Sequence, residues 1–396
     1  MTEVTWRVPG RLEVLGKHTD YAGGPVLVCA IDKAVTATAW HTGEAIVAST
    51  DASPETVCLR AGVDPQLPDG HWGRYLQTVV DRLSANFGPL EGCRLAITSD
   101  LPLASGMSSS SALLSACALS LASLNCLDKT AVWRQALPDR LSLAGYLACI
   151  ENGRTWGPLR GQVGVGTFGG SEDHTAMMCG VPGQLSQFEF DPLRRVTDVP
   201  MPRGFVFVVA TSGVPAEKTA GARDAYNRAS LGVRAILDRW NAAADQPAGS
   251  LAAAVAHDPE GVRLKSLVAD DPWLSARLRQ FLGERTIVTS AVAALNAGDL
   301  DAFGELVSQS QGLAETDLGN QVPETIALAA SARTLGARAA SAFGAGFGGS
   351  VWALVEATSA AAFADAWLTH YLRTYPARTD ARTLIVSPSE PGQRLR

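Results

Sequence analysis

Four consecutive serines, Ser108–Ser111, stand where a short β-type run gives way to a long apolar stretch, and few folds need that arrangement. Cys93–Thr98 (CRLAIT) predicts a strand, and Ala112 to about Leu124 predicts an apolar helix, with the small-residue segment Leu101–Ala112 (LPLASGMSSSSA) between them. Serine suits a helix start and not a helix interior. A strand that feeds a helix through small residues turns backbone N–H groups and the positive end of the helix dipole into the loop, which makes a cradle for phosphate. No Gly-Lys-Ser/Thr closes the segment, so it is not the Walker pattern. Taken alone, an ordinary N-cap in a small-residue loop explains it equally well.

Two further segments change that balance. The chain has 38 glycines, clustered in short stretches. Pro9–Gly24 (PGRLEVLGKHTDYAGG) crowds Arg11, Lys17, His18 and Asp20 between glycines. By itself it reads as a solvated turn before a strand, but its side chains also suit sugar hydroxyls: a carboxylate accepts two hydroxyl hydrogen bonds, and a histidine donates or accepts. Ser341–Ser350 (SAFGAGFGGS) carries Gly344, Gly346, Gly348 and Gly349, which permit positive φ and close backbone approach.

The order of these segments (charged turn, serine loop, C-terminal glycine loop) resembles the GHMP kinase superfamily, and within it the galactokinase-like sugar 1-kinases. Gly10-Arg11, His18–Tyr21 (HTDY) and Gly23-Gly24 match the galactokinase signature, and Gly344–Gly349 (GAGFGG) matches that family's glycine loop nearly letter for letter. The resemblance runs from residue 9 to about 355. It implies an α/β (α+β) two-domain kinase with an S5-like N-terminal domain over residues 1–200 and a ferredoxin-like C-terminal domain over 201–396, the active site lying in the cleft. It also implies ATP and Mg²⁺. Asp173, in Gly170–Ala176 (GSEDHTA), is the expected catalytic aspartate, with Arg11 beside it. Gly106, Ser108, Ser109, Ser110, Gly344, Gly346 and Gly348 are expected at the nucleotide, and Ser110 with Glu151 at the metal. Lys17, His18, Asp20, Gly170 and Tyr226 are expected at the sugar. Trp72 and Tyr75 resemble the family's helix near the base, although large residues on an amphipathic helix serve a core equally well.

The implied reaction is phosphorylation of a monosaccharide at its anomeric hydroxyl, with galactose the first expectation. Two departures bear on the substrate. Lys17 replaces the family glutamate, and a lysine is only a donor; it could welcome a uronic acid or simply pair with a neighbouring acid. The stretch between Glu151 and Asp173 is long and holds Arg154, Trp156 and Arg160. Other functions stay open in order: a non-catalytic sugar and ATP sensor, against which intact Arg11, Ser110, Glu151 and Asp173 argue; and a kinase of mevalonate or homoserine, against which His18–Asp20 argues.

Composition excludes more than it selects. Of all residues, 46% are hydrophobic and 18% charged, which suits a globular chain. The net charge of −6, without a basic run, gives no electrostatic footprint for nucleic acid or anionic membrane. The seven cysteines form no CxxC pair and read as reduced core thiols, and the start MTEVTWRVPG lacks a signal-type apolar stretch, so a cytoplasmic protein, monomeric or a small homo-oligomer, is expected. Beyond the motifs, the pattern predicts one or two strands over Val26–Trp40, a buried strand at Phe205–Ala210, and helices at about His71–Asn86, Ser142–Glu151, Thr219–Asn241, Ser250–Ala256, Ser275–Leu295, Leu300–Leu313, Pro323–Leu335 and Ala360–Arg373.

Overall fold

A computed structural model of the chain describes residues 3–43, 45–102, 106–215 and 221–396. Two sheets organise it. The first is built on two long antiparallel strands, β1 (Glu3–Leu15) and β2 (Pro25–Gly43), followed by β3 (Ile46–Thr50), β4 (Ser53–Leu59) and β5 (Gly92–Ser99), with a later hairpin of β6 (Gln184–Phe190) and β7 (Leu193–Pro200) paired to the start of β2. The second is a four-stranded antiparallel sheet of β8 (Phe205–Thr211), β9 (Ala339–Phe343), β10 (Ser350–Glu356) and β11 (Arg382–Val386), in the order β11-β8-β10-β9. The chain then returns, and β12 (Gln393–Arg394) pairs with β1 of the first sheet.

Helices α1 (Trp72–Phe87), α2 (Ser109–Leu124), α3 (Ala131–Ala136), α4 (Arg140–Asn152) and α5 (Glu172–Cys179) belong to the first half. Helix α2 packs on β1 and β2 and is apolar nearly all round, as a fully enclosed helix must be. Its buried start at Ser111 and its length agree with the expected apolar run. The second half contributes α6 (Gly221–Ala243), α7 (Leu251–His257), α8 (Val262–Leu267), α9 (Pro272–Ala297), α10 (Leu300–Leu313), α11 (Pro323–Thr334) and α12 (Ala360–Thr374). The first residues expected of the Thr219–Asn241 helix lie outside the described residues. Asp271 caps α9 by accepting from Trp273 and Leu274, with Pro272 in the first turn, where its missing N–H costs nothing. Trp352 on β10 lies fully buried between Phe207 and Phe303 and so ties the second sheet to α10; burial of such a ring contributes about 2–3 kcal/mol.

One difference from expectation positions the site. Pro9–Leu15 is not a turn but the end of β1, which pairs with β2 through a register shift between Pro9 and Arg11. Pro9 cannot donate to the ladder, and a bulge is where a strand tolerates it. Past the bulge the period of two puts Arg11 and Glu13 on the same face of the sheet. The turn proper begins at Gly16, and Ala22 and Tyr21 pack into an apolar cluster made by α6, α7, α8 and α9. Among the described residues no helix is long and apolar enough to cross a membrane, and all seven cysteines are free.

Candidate active site

The end of β1, the 16–24 turn, the end of α4, the start of α5 and the glycine loop converge on one cavity. Arg11, Glu13, His18, Asp20, Glu151, Gly170, Glu172, Asp173, Tyr226 and Gly344 are among the residues lining it. At its centre the Arg11 guanidinium meets Asp173: Nε donates to Oδ1 at 2.8 Å, and Nη2 lies 2.7 Å from the same oxygen. Arg11 Nη1 donates to the Gly106 carbonyl at 2.5 Å, which anchors the serine loop to the same residue. Burial alone works against the charge on Arg11, but Asp173, Glu172 and Glu13 outweigh it and raise its pKa. Its charge is therefore permanent here, and it holds Asp173 in one orientation.

The serine loop meets the glycine loop. A Cβ on Gly344 would sit 2.9 Å from the Gly106 carbonyl oxygen, so glycine is required for this approach. Ser108 opens α2 in the left-handed conformation, at φ 57°, and makes no side-chain cap bond. The expected capping role is thus not taken up. The first amides of α2 have no partner within the helix and point off its positive end. Gly346 and Gly348 stand elsewhere: their missing side chains make room for Asn320 and for the Val214 carbonyl, so protein contacts already account for these two glycines.

Glu151 is buried near the C-terminus of α4, the negative end of that helix, where a carboxylate is unfavourable and a cation favourable. The serine that the structure joins to it is Ser111, whose hydroxyl donates to Oε2 at 2.7 Å and lies 3.4 Å from Asp173 Oδ2. Ser110, the serine expected here, is half-exposed. Successive residues on a helix face about 100° apart, so a serine run presents its members to different neighbours. Val165 N donates to the Glu151 carbonyl, and Val165 also lines a groove with His71, Arg74 and Tyr75 at the start of α1. Trp72 packs against the core of the first half.

On the sugar side, the turn residues are held by protein. His18, with φ 58°, accepts from the Tyr21 hydroxyl at Nδ1 and donates from Nε2 to the Ala345 carbonyl, so it ties the turn to the glycine loop. Asp20 accepts from the backbone N–H groups of Tyr21 and Glu172. Burial raises its pKa and these bonds oppose the rise. A Cβ on Gly170 would come within 2.2 Å of Asp20 Oδ2, which explains the glycine. Tyr226 stands against His18, with ring centroids 5.2 Å apart, and its hydroxyl lies over Gly169. The long segment before Asp173 is pinned to α6 by Asn227, which donates to Gly166 and accepts from Phe168, and Trp156 packs on Gly145.

Lys17 departs from the expectation of a sugar contact. Only 1% of it is exposed, and it is absent from the cavity lining. Its Nζ donates to Ser310 on α10, and Ser310 donates to Glu284 on α9. Lys17 thus enters the helical layer while His18 lines the cavity. Two residues that sequence reasoning passed over stand there instead. Glu13 and Glu172 are buried, line the cavity, and each bears electrostatically on the other. Burial pushes Glu13 up to about 7 and Glu172 well above the usual range. The signal for Glu13 was its spacing of two from Arg11 on a strand.

Comparison with known proteins gives the family and the fold. Residues 2–40 match the galactokinase galactose-binding signature, 74–153 the GHMP kinase N-terminal domain and 291–373 the GHMP kinase C-terminal domain. The chain is 31% identical over 366 residues to a galactokinase of Mycobacterium bovis, with 91% of this chain and 92% of that protein covered. A Roseiflexus galactokinase is 28% identical over 372 residues, covering 90% of this chain and 84% of the relative. The crystal structure of Lactococcus lactis galactokinase complexed with galactose superposes with a TM-score of 0.81 at 24% identity, over 99% of this chain and 95% of that one, and shares the fold. The mevalonate kinase of Methanococcus jannaschii, at 13% identity and a TM-score of 0.62 over 98% and 99%, has the same fold more distantly.

Proposed function

Because the chain belongs to the galactokinase family, we propose that it transfers the γ-phosphoryl of ATP to the anomeric hydroxyl of galactose. The observation that carries this reading is the Arg11–Asp173 pair, buried on its arginine side, anchored to the serine loop through Gly106 and facing a cavity that the sugar turn also lines. Phosphoryl transfer asks a protein mainly to position the acceptor and to neutralise charge. Arg11 occupies Asp173 Oδ1 with both bonds, and Asp173 then orients the acceptor hydroxyl through its other oxygen. Asp20 and Tyr226 hold the remaining hydroxyls, His18 fixes the turn between Tyr21 and Ala345, and Gly170 keeps Asp20 within reach. The amides at the start of α2, with Ser108 and Ser109, receive the phosphates, and Gly344 lets the second loop close beneath them; Gly346 and Gly348 support that loop. The groove at Tyr75 takes the base.

Glu151 fits a hard cation: it is a buried carboxylate at the negative end of a helix, and Mg²⁺ needs few protein oxygens because it keeps waters and phosphate oxygens. Glu151, oriented by Ser111, would hold it alongside Ser110. When bound, Mg²⁺ screens the charge of the transferred group.

A uronic acid fits less well, since Lys17 is committed to Ser310 and the cavity is lined by carboxylates. A coupled ADP-release assay with Mg-ATP and galactose tests the reading. Turnover is expected in the native chain, with kcat falling about 10²–10⁴-fold in Asp173→Asn, the range for loss of a positioned acid–base group. Turnover of the Asn variant at the native rate, or ligand binding without ADP release in the native chain, would assign the site to a sensor.

A further inference from the structure

The reaction proposed above does not require the Glu13–Glu172 pair. Both residues are more than nine-tenths buried, and both line the sugar side of the cavity. Oε1 of each is buried without a hydrogen-bond partner. The nearest cation, Arg11, has its bonds to Asp173 and Gly106 and stands 3.6 Å from Glu172 Oε1. A buried acceptor left unpaired is costly, and a ligand group that donates to it removes that cost.

Charge says what kind of ligand. Glu13, Asp20, Glu151, Glu172 and Asp173 line the cavity, and among the described residues Arg11 is the one lysine or arginine in the lining. Two neighbouring carboxyls in a buried site cannot both ionise at low cost, so the site resists any further negative charge. Burial, acting first, raises both acids. The charged groups facing them are Arg11 on β1, Lys17 and Asp20 in the turn, Asp173 on α5 and Glu284 on α9. An incoming carboxylate finds like charge on several sides. A hydroxyl finds an acceptor, and an ammonium finds an acceptor of opposite charge, the stronger kind of bond.

Resting on the galactokinase-family reading, we propose that Glu13 and Glu172 form the specificity-determining pair of this site, and that they admit neutral and amine-bearing hexoses while refusing uronic acids. The pair positions and selects; Asp173 remains the residue at the reacting hydroxyl.

The test measures kcat/KM for galactose, galactosamine and galacturonate on the full-length native chain, on Glu13→Gln, on Glu172→Gln and on the double variant. The native chain should use galactosamine at a rate comparable to galactose and galacturonate at least 100-fold less well. In the double variant the galactosamine-to-galactose ratio should fall at least tenfold, and the galacturonate-to-galactose ratio should rise by as much. Ratios within twofold of native in a variant that keeps its melting temperature would overturn the proposal and make the pair a counter-charge for Arg11. Should the variants not fold, the native chain still decides: refusal of galactosamine, or use of galacturonate on a par with galactose, overturns it. Absence of turnover on galactose would sink the kinase reading instead. Calorimetric binding of the three sugars then decides the pair: galactosamine bound and galacturonate unbound supports it, and the reverse overturns it.

Discussion

Lys17→Met separates a structural lysine from a substrate contact. The Lys17 ammonium is buried, donates to Ser310 Oγ at 2.8 Å, and through that hydroxyl faces Glu284, which also accepts from Gly16 N at 3.0 Å. Glu284 is itself fully buried. Methionine fills much of the volume of the lysine stem and removes the charge, so Ser310 and, through it, the buried Glu284 lose their charged donor. Losing a buried hydrogen bond to a charged group costs about 1.5–3 kcal/mol. At about 2.1 cal/mol/K per residue, a chain of 396 residues unfolding as one unit has an unfolding entropy of about 0.8 kcal/mol/K, so the melting temperature should fall by about 2–4 °C. Calorimetry measures that shift, and initial rates measure KM for galactose, which should stay within about threefold because the Lys17 backbone is held separately by Gln280. A tenfold rise in KM with an unchanged melting temperature would show that the ammonium reaches the sugar and would refute the argument.

Three further outcomes follow from other contacts. Gly170→Ala puts a methyl 2.2 Å from Asp20 Oδ2, so KM for galactose should rise at least tenfold in initial-rate assays; an unchanged KM would remove Asp20 from the sugar. Ser111→Ala removes the donor to Glu151, and the Mg²⁺ concentration for half-maximal rate should rise about 10-fold or more, as for lost supports of a metal ligand, while KM for galactose holds. A parallel change in both would make Ser111 a packing residue. Glu13 is raised by burial to about 7, so its protonated form is the one the fold prefers. Its stabilising contribution is full below the ordinary glutamate range and is lost as pH rises through about 7. Native protein should therefore lose melting temperature relative to Glu13→Gln between pH 5 and pH 8, and a constant difference across that range would contradict it.

What the sequence discloses about this site follows from chemistry that is local in the chain. The serine run, the glycine loop and the Gly170–Asp173 segment are legible because their residue types are costly anywhere else. Helix α10 is found at its expected bounds, since apolar periodicity over a full element is a strong signal. Strand β1 is hidden by Pro9 and Gly10, which read as punctuation until the bulge explains them. With the strand hidden, the pairing of Glu13 with Arg11 is hidden too. Lys17 is misread for a different reason: Glu284 and Ser310 lie on distant helices, and no local pattern tells a buried lysine from one facing a ligand. Ser110 and Ser111 differ only in helical phase, which depends on the residue that starts α2, and element ends are the least legible feature of a pattern.

An acidic chain that binds ATP must concentrate positive field without positive residues, and the site does so by dividing the task. Arg11, the one lysine or arginine of the lining among the described residues, is turned to Asp173 and the serine-loop carbonyl. On the proposed function, that leaves the α2 amides and a metal at Glu151 to meet the phosphates, and the other carboxylates fall on the sugar side, where hydroxyl donors would satisfy them. The same division keeps the two halves of the chain in register: His18 donates to Ala345, and Arg277 of α9 donates to the His18 carbonyl at 2.6 Å. The sugar turn belongs to the first sheet by sequence but is gripped by helices and a loop of the second half. A substitution in the turn is therefore felt first in the seating of the two halves on each other and only then at the sugar, which is why stability and KM must be measured together for every residue from Gly16 to Gly24.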